Sequence, residues 1–279
     1  MKGLIIKPDF IHLYEEPTAK ALDVKEISDY LKERLPNIEI DTREKFFIHH
    51  LSFLKEKDRE EIIDSLAKRI AQNRISNLTV QEISFEPLSA EMEYEKKKIE
   101  EPNHKSFGIL YQGFKLQGVL SELIPKEEKE LKHLHIIFTN QLFGTWSQSD
   151  GRYHARVSIY GLPAIISTTG LVEAPAKPKE YYLLKREYHI LGMREKVTSD
   201  LKEKFQGRFI DYNDPRTTEV MKGYAMQALF YYLMGDPFCR DRNCRLYNAH
   251  WQEDVIHAQL KSPYEFCSFH RKILDSLKR

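Results

Sequence analysis

The sequence lacks the features that mark membrane-spanning, secreted and nucleic-acid-binding proteins. No run reaches the roughly 18–20 apolar residues that cross a bilayer. The formal net charge is +1, whereas proteins dedicated to nucleic acid usually carry a basic excess. The opening stretch MKGLIIKPDFIHLYEEP meets proline and acidic residues too early for a signal peptide. We therefore expect a cytoplasmic protein with no membrane partner and no nucleic-acid partner.

Cysteine and several catalytic motifs are also scarce. There are three cysteines in 279 residues, whereas small secreted domains are held by larger, even numbers. A disulfide here would leave one thiol over. The sequence contains no P-loop, no Rossmann glycine pattern and no G-x-S-x-G. It therefore gives no support to the common nucleotide-binding enzymes or serine hydrolases.

The three cysteines nonetheless lie close together, with a histidine as the fourth member. Cys239 and Cys244 are separated by four residues, and Cys267 and His270 by two. Two close pairs of donors joined by a short spacer can present four nitrogen and sulfur ligands tetrahedrally to zinc. We therefore predict one structural Zn²⁺ ion on these four residues. The alternative is three buried free thiols, which would behave as small hydrophobic residues.

The organisation of the chain follows from its charge and hydropathy. Hydrophobic residues make up 41% and charged residues 30%, which is typical of a globular protein. We expect an N-terminal β-α-β part of the same domain at 1–75, a charged surface insertion at 76–106 and a core with the zinc site at 107–279. The insertion reads SAEMEYEKKKIEEPNHK, so we expect one exposed helix or hairpin there.

Periodicity predicts the secondary structure. Strands are expected at 3–6, 10–14, 37–42, 134–140, 153–160 and 164–167. Helices are expected at 24–35, 59–73, 111–123 and 179–205, the last broken near residue 192, with a loop at 168–178. A helix that opens at Pro215 and ends at Gly235 is apolar on nearly every side and should be buried. The predicted fold class is α/β: a mixed, twisted sheet of about five or six strands, flanked by helices, with a zinc-stapled C-terminal lobe.

The C-terminal pattern resembles that of the archaemetzincins, a family of metzincin-type zinc proteases. In that family a buried helix carrying H-E-x-x-H-x-x-G-x-x-H leads at once into the first cysteine of a second, structural zinc site. The present sequence has a buried helix, a glycine at Gly235, then C-x4-C and later F-C-x-x-H. Histidine replaces the family's usual last cysteine. The resemblance covers roughly 107–279, and more loosely the first 75 residues, and it implies a metzincin-like fold.

The motif that holds the catalytic zinc in that family is absent. When the sequences are aligned on the first cysteine, the first two histidine ligands fall on Ala228 and Tyr232. The general-base glutamate falls on Leu229, and the third histidine on Phe238. These side chains supply neither the ligands nor the base that the reaction needs. The resemblance therefore implies a scaffold that keeps the structural zinc without the catalytic centre.

A polar groove is expected where that centre would lie. In metzincins the edge strand of the sheet borders the substrate cleft, and an edge strand can hold an extended peptide by strand addition. His154 and Arg156 share one face of the expected strand at 153–160, and Glu173 and Lys177 follow in the next loop. We expect these four residues to line the cleft.

A relocated catalytic centre is the alternative. The candidates for it are His135, His154, His189, His250, His257, Glu173 and Glu253. His250 and His257 are seven residues apart, which is two turns on one face of an expected helix and permits a metal site.

Three functions remain open on the sequence alone. The first is a metzincin-like zinc protein without family-type protease activity that binds a peptide or protein in the cleft. The second is an active metallopeptidase or other hydrolase with a relocated active site. The third is a zinc-stabilised interaction module that touches nucleic acid through Arg240, Arg242 and Arg245, which otherwise belong to a solvated loop.

Overall fold

The computed structural model describes residues 7–81, 85–105, 108–192 and 197–278. The strand predicted at 3–6 lies outside the described residues. The described strands are β1 (Phe10–Tyr14), β2 (Glu39–Arg43), β3 (Leu110–Gln112), β4 (His133–Thr139), β5 (Leu142–Ser147), β6 (Arg152–Arg156), β7 (Ser158–Ile159) and β8 (Ala164–Ser167). The described helices are α1 (Val24–Arg34), α2 (Phe46–Leu51), α3 (Glu56–Gln72), α4 (Ser89–Glu100), α5 (Gly113–Leu123), α6 (Thr168–Glu173), α7 (Lys179–Ile190), α8 (Val197–Lys204), α9 (Thr217–Met234), α10 (Gln252–Ile256) and α11 (Ser268–Leu277).

The main sheet has five strands in the order β2-β1-β4-β8-β7. The first three pairings are parallel and the last, between β7 and β8, is antiparallel. The predicted α/β class with a mixed sheet is therefore confirmed. Side chains alternate across the sheet: Ile11 and Leu13 join the core that contains α1 and α9, whereas Tyr14 joins the core that contains α2, α3 and α5.

A second, three-stranded sheet takes the order β3-β5-β6. The alternating run at 153–160 was expected to be one strand, and that expectation is wrong. Its first half pairs with β5, its second half pairs with β8, and the Val157 carbonyl between them accepts from the Ser167 amide at 2.7 Å. Alternation of apolar and polar residues indicates an extended backbone with one apolar and one polar face. It does not report which neighbour each half of the strand pairs with.

Helix α9 is the central helix. Fourteen of its 18 residues are buried, as its uniform apolar character predicts. It ends at Gly235, whose φ of 75° lies in the left-handed region that favours glycine. It begins at Thr217, two residues later than predicted, because the Asp214 side chain accepts from the Arg216 amide and holds the preceding turn. Along the described residues, neither α9 nor any other helix combines the length and apolar character of a membrane span.

The charged segment at 76–106 contributes a helix that packs into the protein. Helix α4 lies against α3, and Glu95, Lys98 and Ile99 on it are buried. The buried carboxylate of Glu95 pairs with Arg74 at 2.6 Å. Burial lowers the pKa of Lys98 to about 8. The expectation of a simply exposed helix is therefore wrong, because the sequence does not reveal that its charges have buried partners.

Smaller differences have local causes. The segment at 168–178 was expected to be a loop, but it contains α6, because the Ser167 hydroxyl accepts from the Gly170 amide at 2.8 Å as a helix cap. The helix predicted from residue 111 begins at Gly113, after β3. Helix α3 begins at Glu56, three residues before the predicted start at 59.

Candidate functional site: a Cys3His cluster and the neighbouring cleft

The first two cysteines lie in a tight turn just after α9. The Cys244 amide donates to the Asp241 carbonyl at 3.0 Å, and the Cys239 amide donates to the Leu246 carbonyl at 2.8 Å. The Asp241 amide points at the Cys239 sulfur, 3.4 Å away. These bonds fold the four-residue spacer back on itself, so that both sulfurs face inward.

The second pair is held by the start of α11. Cys267 is the N-cap residue of that helix, and His270 lies in its first turn. Their spacing places the Cys267 sulfur 3.1 Å from the His270 Nδ1 atom.

The four donors converge. The sulfurs of Cys239, Cys244 and Cys267 and a ring nitrogen of His270 all lie within 4.8 Å of one another. Sulfurs bound tetrahedrally to zinc at about 2.3 Å would be about 3.8 Å apart, and Cys239 Sγ is 3.9 Å from Cys267 Sγ. The set therefore fits a four-coordinate zinc ion and leaves no position open for chemistry.

The two alternatives for the cysteines fit less well. A disulfide needs sulfurs about 2.05 Å apart, and all three cysteines are free. Burial raises the pKa of the Cys244 thiol to about 12, so a thiolate there needs a cation in contact with it. A metal ion requires that its ligands, here three thiols and an imidazole, converge on one point. Apolar packing of free thiols does not require this convergence.

A cleft with a volume of about 120 Å³ lies beside α9. Its walls are the β6–β7 edge, the loop after α6 and the segment 247–250. Its lining residues are Ala155, Arg156, Val157, Ser158, Ala174, Pro175, Tyr224, Gln227, Phe238, Tyr247, Asn248, Ala249, His250, Val255 and Gln259.

The face of α9 on this cleft carries amide and aromatic groups. Tyr224 and Gln227 line the cleft, and the Tyr160 hydroxyl donates to the Gln227 Oε1 atom at 2.6 Å. One turn further, the rings of Tyr160 and Tyr231 lie 5.9 Å apart. Tyr160 and Phe238 also meet, with ring centroids 6.2 Å apart.

The α9 positions that the alignment on the first cysteine assigned to the catalytic residues are one residue away from the face that lines the cleft. Ala228 and Leu229 are 1% and 0% exposed and belong to the core between α9 and the sheet. A step of one residue turns a helix by about 100°, so Gln227 lines the cleft whereas Ala228 does not. Tyr231 lies four residues after Gln227, on the same face of the helix. In both registers the cleft-facing residues are neither histidine nor glutamate.

The four residues predicted to line the cleft do not come together. Arg156 lines it, and its Nε atom donates to the Thr145 hydroxyl at 2.8 Å. His154 pairs with Asp150 at 2.8 Å on the surface. The other two face different neighbours: Glu173 accepts from the Tyr212 hydroxyl at 3.0 Å, and Lys177 lies 5.3 Å from the Phe209 ring centroid.

The candidates for a relocated centre are dispersed as well. His250 and His257 do not share a helix, because the former precedes α10 and the latter follows it. His257 contacts the Asn243 side chain at 2.7 Å, and Glu253 pairs with Arg208 at 2.8 Å.

The three arginines considered for nucleic acid do not form an exposed patch. Arg245 is 6% exposed and pairs with Glu219. Arg242 pairs with Asp254 at 2.8 Å. Two of the three guanidinium groups are therefore held by neighbouring carboxylates.

Sequence reasoning missed a second group of metal-type donors. Across the described part of the chain, the clusters with suitable spacing are the Cys3His set and the group His12, Glu128 and His135. His135 had been singled out, but its two partners had not. The signal available was the H-x-H of His133 and His135 on a predicted strand, since alternate residues share a face.

Comparisons with known proteins identify the family to which this chain belongs. The sequence of residues 7–277 matches the profile of a family described as "Probable metallopeptidase family (DUF6775)". This chain belongs to that family. Its structure is similar to the crystal structure of archaemetzincin from Methanopyrus kandleri, with 12% identity and a TM-score of 0.41 over 100% of this chain and 99% of that one. No curated protein matches the sequence. The relationship to metallopeptidases that the sequence suggested is confirmed at the level of the family.

Proposed function

We propose that this member of the metallopeptidase family lacks family-type peptidase activity and binds an extended peptide or protein segment in the cleft beside α9. One observation carries the proposal. Among the described residues that line the cleft there is one histidine, His250, and no carboxylate. A catalytic zinc site needs three protein ligands and a base for the bound water.

The shape and chemistry of the cleft favour a peptide. Strand β7 lies at the edge of the main sheet, where an extended segment can add as a further strand. Tyr224 and Phe238 offer aromatic surface, while Arg156 offers a positive charge at the same wall. An occupant with an apolar side chain next to a carboxylate would complement these groups.

The Cys3His cluster has a supporting role in this proposal. A closed zinc site contributes folding energy and no reaction. It anchors the turn after α9 to α11, and that turn leads into the segment 247–250 that forms one wall of the cleft. A reducing compartment such as the cytosol would keep the three thiols available for the metal.

Absence of peptidase activity is the first half of the test. Zinc-loaded protein is incubated with fluorophore-labelled casein, alongside an active zinc protease. We expect no release of label above the rate without protein. Release that persists after repurification and is lost on chelation would contradict the proposal.

Binding is the second half. Random peptides displayed on phage are selected on the immobilised full chain, and affinities of the enriched peptides are measured. Phe238→Ala should weaken them about 5–30-fold, the loss expected when an aromatic anchor is removed. Phe114→Ala is the matched control, because Phe114 is an exposed phenylalanine on α5 and outside the cleft. Equal losses in both variants, or no enrichment at all, would refute the proposal.

A further inference from the structure

Three histidines share one face of the main sheet, on the side away from α9. His12 on β1 is the pairing partner of His135 on β4. His133 lies two residues before His135, so its side chain projects to the same face. His12 and His135 are 4% and 0% exposed. The intervening residues of both strands, such as Ile11, face the core with α9.

The spacing of the donor atoms is close to that of a metal site. The ring centroids of His12 and His135 are 4.7 Å apart, and the His135 Nε2 atom lies 3.8 Å from the Glu128 Oε2 atom. Ligand atoms of His12, Glu128 and His135 all lie within 4.8 Å of one another. Donors about 2.1 Å from one ion would be about 3.0–3.4 Å apart. Small side-chain movements would therefore bring the three onto a common ion.

Each of these three side chains is oriented by a second group. The Asp41 carboxylate lies 2.8 Å from the His12 Nδ1 atom, and the His12 Nε2 atom lies 2.9 Å from the His133 Nδ1 atom. An ion bound at the His12 Nε2 atom would replace that contact with His133. Arg43 donates two hydrogen bonds to Glu128, at 2.7 and 2.8 Å. A carboxylate behind a histidine and a donor behind a carboxylate are the supports that metal ligands usually have.

The hydrogen-bond network around His135 sets its tautomer. Its Nε2–H donates to the Glu128 carbonyl at 3.0 Å, so its Nδ1 atom accepts from the Tyr14 hydroxyl at 3.0 Å. The Tyr14 hydroxyl also lies 3.0 Å from the His50 Nε2 atom. An ion at the His135 Nε2 atom would replace that proton, and the ring would then donate from Nδ1 to the Tyr14 hydroxyl while Tyr14 donates to His50.

The local charge suits a cation. Asp41 and Glu128 bring two negative charges, and Arg43, which pairs with both, brings one positive charge. With neutral imidazoles the group carries one net negative charge. A hydrogen-bonded histidine network alone does not need this excess.

We propose that His12, His135 and Glu128 form a second metal site, which binds a divalent transition-metal ion of the Zn²⁺ or Fe²⁺ type. Two imidazoles and one carboxylate are a ligand set for such ions. Three protein ligands leave at least one coordination position for water. This site is distinct from the Cys3His cluster and from the cleft, so its failure in a test would leave the proposed function untouched.

The experiment uses the full chain without an affinity tag of histidines, first loaded with one equivalent of Zn²⁺ to fill the Cys3His cluster. Co²⁺ is then titrated and followed by calorimetry and visible absorption. We expect one further equivalent to bind, with d–d bands and without the charge-transfer band that thiolate ligands produce. No uptake of Co²⁺, or a spectrum with thiolate charge transfer, would overturn the proposal.

Variants locate the ion. His12→Gln and His135→Gln should each abolish Co²⁺ binding. His49→Gln is the matched control, since His49 is a half-buried histidine outside the ligand set that meets Tyr14 and His50 through ring contacts, and it should keep the binding. Asp41→Asn, at a half-exposed side chain, should weaken binding about 10–100-fold. Unchanged Co²⁺ affinity in Asp41→Asn, or loss of binding in His49→Gln as complete as in His12→Gln, would refute the assignment.

Discussion

The Cys3His cluster and the cleft are close in sequence and opposite in chemistry. The cluster follows the end of α9 and the cleft lies beside α9, yet one gathers four metal donors and the other presents amide and aromatic groups. The cluster depends on two short local units, a turn and the first turn of a helix. A catalytic zinc site would depend on particular residues on one face of α9. The proposed function therefore separates structural metal binding from catalytic metal binding within one scaffold.

The largest loss of stability is expected when a ligand of the Cys3His cluster is removed. Cys244→Ala removes a buried ligand and leaves a three-coordinate site. We expect the zinc-loaded variant to lose about 4–6 kcal/mol of unfolding free energy, because metal binding is coupled to folding. The melting temperature, followed by circular dichroism, should fall by about 10–20 °C.

The metal-stripped protein supplies the control for that variant. Without zinc, the same substitution removes only a small buried side chain and should cost about 1–3 kcal/mol. Equal costs with and without zinc would show that Cys244 is a packing residue, and the contrast with the cleft would disappear.

The next effect tests whether the cleft wall is rigid. A Cβ atom at Gly170 would lie 2.3 Å from the Arg156 carbonyl oxygen, which is backbone of the cleft wall. Gly170→Ala should therefore cost about 2–3 kcal/mol, since neither backbone can move aside cheaply. Gly118→Ala is the matched control on α5: nothing lies within 4 Å of its Cβ, and it should gain up to about 1 kcal/mol. Urea titration would measure both, and a neutral Gly170→Ala would indicate a wall that yields.

Features that the sequence predicts well are those set by neighbouring residues. The burial of α9, its end at Gly235 and the grouping of the cysteines all follow from composition or spacing within a few residues. The mixed α/β class follows from the alternation of predicted strands and helices.

Features that the sequence did not predict depend on contacts between distant residues. The cleft face of α9 is one residue away from the aligned positions, and only packing against the sheet determines which face that is. The pairing of His12 with His135 requires the register between two strands far apart in the chain. The burial of Glu95 requires Arg74 as its partner, and no local pattern reveals such a pair.

A smaller loss of stability is expected when the hydrogen bond between Tyr160 and Gln227 in the cleft is removed. Gln227→Leu removes the acceptor of the Tyr160 hydroxyl, and leaving that group unsatisfied should cost about 1–2 kcal/mol. Tyr160→Phe alone should cost a similar amount. The double variant should cost less than the sum, because the Tyr160 hydroxyl and its acceptor are then removed together. Strict additivity, measured by urea unfolding of the four proteins, would show that the two side chains are independent.

The smallest change in stability is expected for a variant that introduces two metal ligands into the cleft. Gln227→His together with Tyr231→His places imidazoles four residues apart on the cleft face of α9, the spacing that lets two histidines bind one metal. Both positions tolerate a ring of this size: an imidazole in place of the Gln227 amide can still form a hydrogen bond with the Tyr160 hydroxyl, and Tyr231 is partly exposed. We expect a stability change below about 1 kcal/mol and one additional zinc per chain by elemental mass spectrometry.

The comparison pair for that variant is Ala228→His with Tyr232→His, the positions given by the alignment. Ala228 is 1% exposed within the core, so an imidazole there must displace packed neighbours and should destabilise the fold by about 1–3 kcal/mol or more. No gain of zinc is expected, because these side chains turn away from the cleft. Zinc binding by the second pair and not by the first would show that Ala228 and Tyr232, the positions given by the alignment, face the cleft. The difference in metal donors between the cleft and the cluster would then have to be judged at Ala228 and Leu229.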